Sequence, residues 1–217
     1  MGETLYFTKE MLDDFLKGIE QLRLRKMTHK QVKLMFLVLL SMAGRISEVL
    51  DLTPEDILPN GKIRLRRTKG GWENCKCSQW AYHPTRLISS DMTCDNCKGV
   101  GKIRINAYAW VQESILYELR ELASETRPGK KLFPITRRQA LNYANDIADA
   151  RTHTFRHTWL TWLLESEKLD IKDMQQKARH KNVQTTIDYV QHNTDFTRKK
   201  EENAMPDLLE DIDLDKK

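Results

Sequence analysis

Apolar positions recur at helical spacing along most of the chain and alternate with basic residues in two short places. Leu12, Phe15, Leu16, Ile19 and Leu22 form one helical stripe within residues 8–24. Thr28 and Gln31 have the spacing of a capping box and predict a helix carrying Val32, Met35, Phe36, Leu39 and Leu40. Gly44 interrupts it, and ISEVLDL predicts a short continuation to Leu52. Pro59-Asn60-Gly61 is a turn signal, and in KIRLRR after it Ile63 and Leu65 alternate with basic residues, as in a strand. GKIRIN, residues 101–106, alternates in the same way and is expected to be its partner. A helix is expected over Ala107–Glu125, with Trp110, Val111, Ile115, Leu119 and Leu122 on one face. Another, over Arg137–Asp149, follows a second capping box, Thr136 with Gln139. An aromatic-rich helix over His153–Glu165, a short one after Asp170 and a last one carrying Tyr189 complete the pattern. Trp159 and Trp162 suit the core face of the His153–Glu165 helix. The expected fold class is α+β: mainly helical, with a small antiparallel sheet and an inserted module.

Composition narrows the class. The chain has 217 residues, enough for one generous domain or one domain with a small module. Hydrophobic residues make up 40%, sufficient for a core, and the mean hydropathy of -0.63 argues against a membrane protein. The longest apolar run, Leu34–Leu40, is far too short to span a bilayer. The N-terminus lacks the basic-then-apolar order of a signal peptide, so a cytoplasmic, nucleoid-associated setting is expected. Charge is uneven. Residues 201–217 hold seven acids and two lysines, a local −5, which leaves +10 on residues 1–200 of a chain whose net charge is +5. A basic body with an acidic tail suits a polyanion partner, most often nucleic acid.

All four cysteines lie in one insert, residues 72–99, between the two alternating segments. Cys75-x-Cys77 and Cys94-x-x-Cys97 supply four thiolates, a complete tetrahedral zinc shell with no open position, hence a structural site. Two disulfides or uncoordinated thiols are the alternative states, and His83 could replace one cysteine. An intracellular setting favours metal. The second half, CDNCKGVG, also resembles the C-x-x-C-x-G-x-G repeat of the Hsp40-type chaperone zinc region.

Three further segments belong together: GRISEVLDL from Gly44, HTFRHTW from His153, and ARHKNVQTTIDYVQH from Ala178. With these, the chain resembles the catalytic domain of the tyrosine recombinases, the phage-integrase family of DNA breaking and rejoining enzymes. That family has an arginine in an R-x-S-E context, a hairpin lysine, an H-x-x-R pair, and a histidine followed nine residues later by a tyrosine. Arg45 with Glu48, a hairpin lysine, His153 with Arg156, His180 and Tyr189 stand in that order here. The resemblance runs from about Thr8 to Asn193 and implies a catalytic domain over residues 1–200, with residues 201–217 as an acidic tail. Two positions depart from it. Met42-Ala43-Gly44 replaces the family's T-G-x, and Ala178-Arg179 replaces its L-G before the histidine.

The resemblance implies a chemistry that these residue types suit. Tyr189 would be the nucleophile, keeping the bond energy in a phosphotyrosyl ester. Arg45 and Arg156 match the non-bridging oxygens of a phosphate with a charge that never titrates. His153 and His180 can donate to those oxygens or carry the tyrosine's proton. Glu48 could orient Arg45 or a histidine. Lys69, in the T-K-G context, is the expected donor to the departing 5′ oxygen; Arg67, Lys62 and Lys102 are lesser candidates. The strand-transfer chemistry is expected to need no cofactor. Arg67, Lys76, Arg86 and Lys98 are expected DNA contacts around a zinc-stiffened hairpin. The implied partner is double-stranded DNA, bound as a homotetramer by a chain that is a monomer when free. Family members generally carry a separate helical clamp before this domain, and the 27 residues before Thr28 are too few to form one. An excised catalytic fragment or a minimal recombinase would each account for that. A type IB topoisomerase-like relaxase and a catalytically inactive zinc-bearing DNA-binding regulator are the rival readings.

Overall fold

The computed structural model describes residues 6–66, 72–76, 94, 96–98, 101–104, 106–166, 171–179 and 182. Their helices are α1 (Lys9–Gly18), α2 (His29–Ser41), α3 (Ile46–Leu50), α4 (Glu113–Glu125), α5 (Arg137–Ala148), α6 (Thr152–Glu165) and α7 (Ile171–Ala178). Four short strands, β1 (Ile63–Leu65), β2 (Trp72–Asn74), β3 (Lys102–Arg104) and β4 (Ala107–Ala109), lie between α3 and α4. Among the described residues, no helix is long and apolar enough to cross a membrane.

Both expected capping boxes form. Thr28 Oγ1 accepts from the Gln31 amide at 3.1 Å, and Gln31 Oε1 accepts from the Thr28 amide at 2.9 Å. Thr136 and Gln139 exchange the same pair of bonds at 3.2 and 3.0 Å. Each box pairs two amides that a helix start leaves without partners. α2 is the central helix, with Val32, Met35, Val38 and Leu39 wholly buried. Four phenylalanines lock α1 and α6 against it. Phe155 stacks on Phe36 with centroids 4.9 Å apart and meets Phe15 and Phe7 edge-on at 5.1 and 5.2 Å. The segment before α1 straps onto α6: the Phe7 amide donates to Thr158 Oγ1 at 2.8 Å, and Trp162 Nε1 donates to the Phe7 carbonyl at 3.1 Å. Trp159 and Trp162 pack on the core, as their spacing predicts. This apolar grip sets the rotation of α6, and so the direction in which Arg156, next to Phe155, points.

The strand pairing differs from the expectation. β1 pairs not with residues 101–106 but with β4, antiparallel, Ile63 opposite Ala109 and Leu65 opposite Ala107. β3 pairs instead with β2, Trp72 opposite Arg104. The described strands therefore make two short ladders rather than one sheet. Alternation shows which residues share a face but leaves the register open. Residues 66–71 separate β1 from β2, whereas only 105 and 106 separate β3 from β4. The four extra residues on the first side move the register, and they fall in the segment that holds Lys69. The expected helix start also moves. Ala107–Ala109 are strand, and α4 begins at Glu113, with the Gln112 amide donating to Ser41 Oγ at 3.0 Å.

A buried carboxylate fixes the root of this hairpin. Asp56 Oδ1 accepts from Arg64 Nε at 3.0 Å and Arg66 Nε at 2.6 Å, while Oδ2 accepts from the Thr53 amide and hydroxyl at 3.1 and 3.0 Å. The turn after α3 is thereby bonded to the strand that leads toward Lys69. The last expected helix, with Tyr189, lies outside the described residues.

Candidate functional site

The site forms where α2 ends. Ala43 follows the helix with φ 46°, the Ala43 amide donates to the Leu40 carbonyl at 2.8 Å, and the Gly44 amide donates to the Leu39 carbonyl at 3.1 Å. This is the paired closure of a Schellman turn, with alanine at the left-handed position that usually takes glycine. The strain is about 1 kcal/mol. The glycine comes one residue later, where a Cβ on Gly44 would lie 3.2 Å from Met42 Cε and 3.8 Å from Glu48 Oε2. The turn delivers Arg45 to the start of α3.

Arg156 holds that turn from α6. Its Nη1 donates to the Ala43 carbonyl at 2.6 Å, and its Nη2 makes a short bond to the Ala178 carbonyl at the end of α7. The residue is only 1% exposed. Ala43, Leu160, Met174 and Ala178 form a small buried apolar cluster. The guanidinium expected to face a phosphate is thus also the clip between two turns that are far apart in sequence.

Glu48 gathers the other charges. Its Oε1 accepts from Arg45 Nη1 at 3.0 Å; its Oε2 accepts from the Arg45 amide at 3.0 Å and from Arg179 Nη2 at 2.7 Å. The side chains are 1% exposed for Glu48, 13% for Arg179 and 31% for Arg45, so Arg45 is the member that reaches solvent. Arg179, like Ala43, is left-handed, with φ 54°, the conformation that the family's glycine would suit. Its Nη1 also donates to the Met42 carbonyl at 3.3 Å. In the sequence Arg179 is only a departure from the family pattern; its one legible signal is a long cation at a glycine position. Beside it, Lys177 Nζ donates to the Trp110 carbonyl at 3.0 Å, tying α7 to the end of β4. Burial, and then the charge of Arg179, hold its pKa down to about 8.

His153 sits one helical turn before His157 on α6, their rings 4.9 Å apart and edge-on. His153 is exposed to solvent. Its pKa lies below the ordinary histidine value, first through partial desolvation and then through the charges of Arg156 and Arg45. The two arginines act on His153 through space, which brings Arg45, His153 and Arg156 into one electrostatic neighbourhood. Such an arrangement can bind a dianionic oxygen cluster with fixed cations and offer a neutral imidazole beside it. Lys69, Arg67, His180 and Tyr189 lie outside the described residues.

Three of the four cysteines come together. The Sγ atoms of Cys75, Cys94 and Cys97 lie within 4.8 Å of one another, with Cys75 and Cys94 3.8 Å apart. A disulfide needs about 2.05 Å. A tetrahedral zinc with bonds of about 2.3 Å spaces its sulfurs about 3.8 Å apart, so the residues present fit such an ion. The backbone supports the cluster: the Lys98 amide donates to the Cys94 carbonyl at 2.7 Å, and the Cys75 amide to the Gly101 carbonyl at 2.9 Å. Lys76 and Lys98 are exposed next to it. Cys77 and Arg86 lie outside the described residues.

Residues 106–195, which include His153, Arg156, His180 and Tyr189, match the model of the phage integrase family. No curated protein sequence matches the chain. Among solved structures, XerA recombinase superposes with a TM-score of 0.62 at 15% identity, covering 93% of this chain and 65% of that one. The Tn1549 transposon integrase in complex with circular intermediate DNA gives 0.59 at 16% identity, covering 94% and 68%. The catalytic domain of bacteriophage HP1 integrase gives 0.55 at 15% identity, covering 91% and 93%. The fold is that of a tyrosine recombinase catalytic domain. At these identities the likeness is one of fold, and the chain spans less than two thirds of the XerA chain.

The lowered pKa of His153 has a sign that can be measured. Its imidazole is neutral at pH 7, and the unfolded chain binds that proton more readily than the native one. Stability attributable to His153 is therefore complete above about pH 6.5, the free histidine value, and falls as pH drops through the lower native value. NMR titration of the imidazole should give a midpoint below 6.5, and Arg45→Gln should raise it. A midpoint at or above 6.5 would contradict the neighbourhood described.

Proposed function

We propose that this chain is the catalytic domain of a site-specific DNA recombinase, cleaving and rejoining strands through a 3′-phosphotyrosyl intermediate. What supports this reading is that Arg45 and Arg156 meet at one turn, with His153 near enough to feel both charges, in a fold shared with known recombinases and in a sequence that carries Tyr189. In this reading Tyr189 Oη attacks the scissile phosphorus and the bond from phosphorus to the 5′ oxygen breaks. Lys69 gives its proton to the departing 5′ oxygen. The attacking tyrosine loses its own proton to His153 or His180, and a neutral His153 suits that task. The 5′ hydroxyl of a second strand then reverses the step, so no bond energy is lost. Arg45 and Arg156 stabilise the charge that grows on the non-bridging oxygens. Loss of one such donor slows a reaction of this type about 10²–10³-fold. For Arg156, contact with phosphate would add to its bonds with the two carbonyls.

The partner would be double-stranded DNA, engaged by the basic body through phosphate contacts that weaken steeply with salt. The productive assembly would be a homotetramer on DNA. Incubation with a nicked suicide duplex of its attachment site, without added metal or nucleotide, should give a covalent protein–DNA adduct that Tyr189→Phe abolishes. Exchange of strands between two such sites supports the recombinase; relaxation of supercoiled DNA without exchange would favour the topoisomerase-like reading. Tight binding with no adduct would point to the inactive regulator.

We further propose that residues 72–99 form a zinc module, with Cys75, Cys77, Cys94 and Cys97 as ligands. The ion would supply structure, not catalysis, since four thiolates leave no position for substrate. It would brace the hairpin that carries Lys69 and Arg67, and present Lys76, Lys98 and Arg86 to DNA. Purified protein should carry one zinc per chain by elemental analysis, and Cys97→Ser should lower both that content and DNA affinity. Unchanged affinity in the zinc-free variant would remove the proposed DNA role.

A further inference from the structure

Arg179 occupies a left-handed position, where any residue with a Cβ has a conformational cost, and its guanidinium enters the charge balance around Glu48. Arg45 and Glu48 alone make a neutral pair. A carboxylate that is 1% exposed and bonded to both the amide and the guanidinium of Arg45 would offset most of the field that Arg45 offers a phosphate. Arg179 adds a second cation to the same carboxylate at 2.7 Å, and it does so from the buried side. The trio then carries a net +1, and its solvent-reaching member is Arg45. The second bond of Arg179, to the Met42 carbonyl, anchors it across the turn that delivers Arg45.

Resting on the recombinase reading, we propose that Arg179 is a positioning residue of the cleavage site: through Glu48 it fixes Arg45 and leaves the charge of Arg45 available to the scissile phosphate. A glycine at this position would relieve the left-handed backbone yet remove the cation. Fold quality and cleavage rate are therefore expected to part company in Arg179→Gly.

The test is single-turnover cleavage of the suicide duplex at saturating protein, with DNA Kd measured separately. Arg179→Gly should fold with an undiminished melting temperature and bind DNA within about threefold of wild type, yet cleave about tenfold slower or worse, a smaller loss than deletion of a direct donor. Arg179→Lys keeps the charge without the fork and should recover part of the rate. In a Glu48→Gln background there is no carboxylate to offset, so Arg179→Gly should cost little further rate. Cleavage by Arg179→Gly at the wild-type rate would overturn the inference while leaving the recombinase reading intact. An equal slowing with and without Glu48 would overturn it too, since Arg179 would then act by another route. A wild-type chain that forms no Tyr189-dependent adduct would overturn both.

Discussion

A single buried guanidinium holds the two halves of the site together. Arg156 donates to the carbonyl of Ala43, just past α2, and to that of Ala178, the last residue of α7. The first belongs to the turn that closes α2 and the second to the end of α7, where carbonyls lack intrahelical partners and the backbone dipoles leave partial negative charge. Two helix termini thus supply the counter-charge that a buried cation needs. The same bonds bring residues of the first and last thirds of the described chain to one place. That arrangement follows from the core: Phe155 is clamped among Phe7, Phe15 and Phe36, and the next residue is turned toward the two helix ends.

The remaining site groups hang from this clip. The Ala43 turn sets Arg45 and Glu48; the Ala178 end sets Arg179; and Arg179 and Glu48 then meet across the gap at 2.7 Å. Each half is strained by a left-handed residue other than glycine, Ala43 at 46° and Arg179 at 54°. Such strain persists where surrounding bonds determine the conformation several times over, as they do here, and it is concentrated at functional sites. The cysteine cluster is a second, independent centre. It lies against the β2–β3 ladder rather than the helical core, and Asp56 anchors the root of the same hairpin through Arg64 and Arg66.

What could be read from the sequence depended on range. Both capping boxes and the helical stripes were legible because their partners lie within a turn or two. So were the cysteine spacing and the order of Arg45, His153 and Arg156. Strand register was not legible: residues 62–66 and 101–106 alternate equally well, and only the inserted length decides which pairs form. The stripe through Trp110, Val111 and Ile115 suited a helix from Ala107, but pairing with β1 claims Ala107–Ala109. The burial of Arg156 and the bond of Arg179 to Glu48 depend on partners 113 and 131 residues away, which no local pattern encodes.

Native-state hydrogen exchange tests the clip most directly. The amides of Ala43, Gly44 and Arg179 are each hydrogen-bonded within their own turns, so each reports on its turn separately. Arg156→Lys retains a charge but cannot span both carbonyls. Compared with wild type, it should lose protection at all three amides together while the α2 interior, around Met35 and Val38, keeps its own. Unchanged protection at either turn would show that the turns stand without Arg156 and would contradict the account.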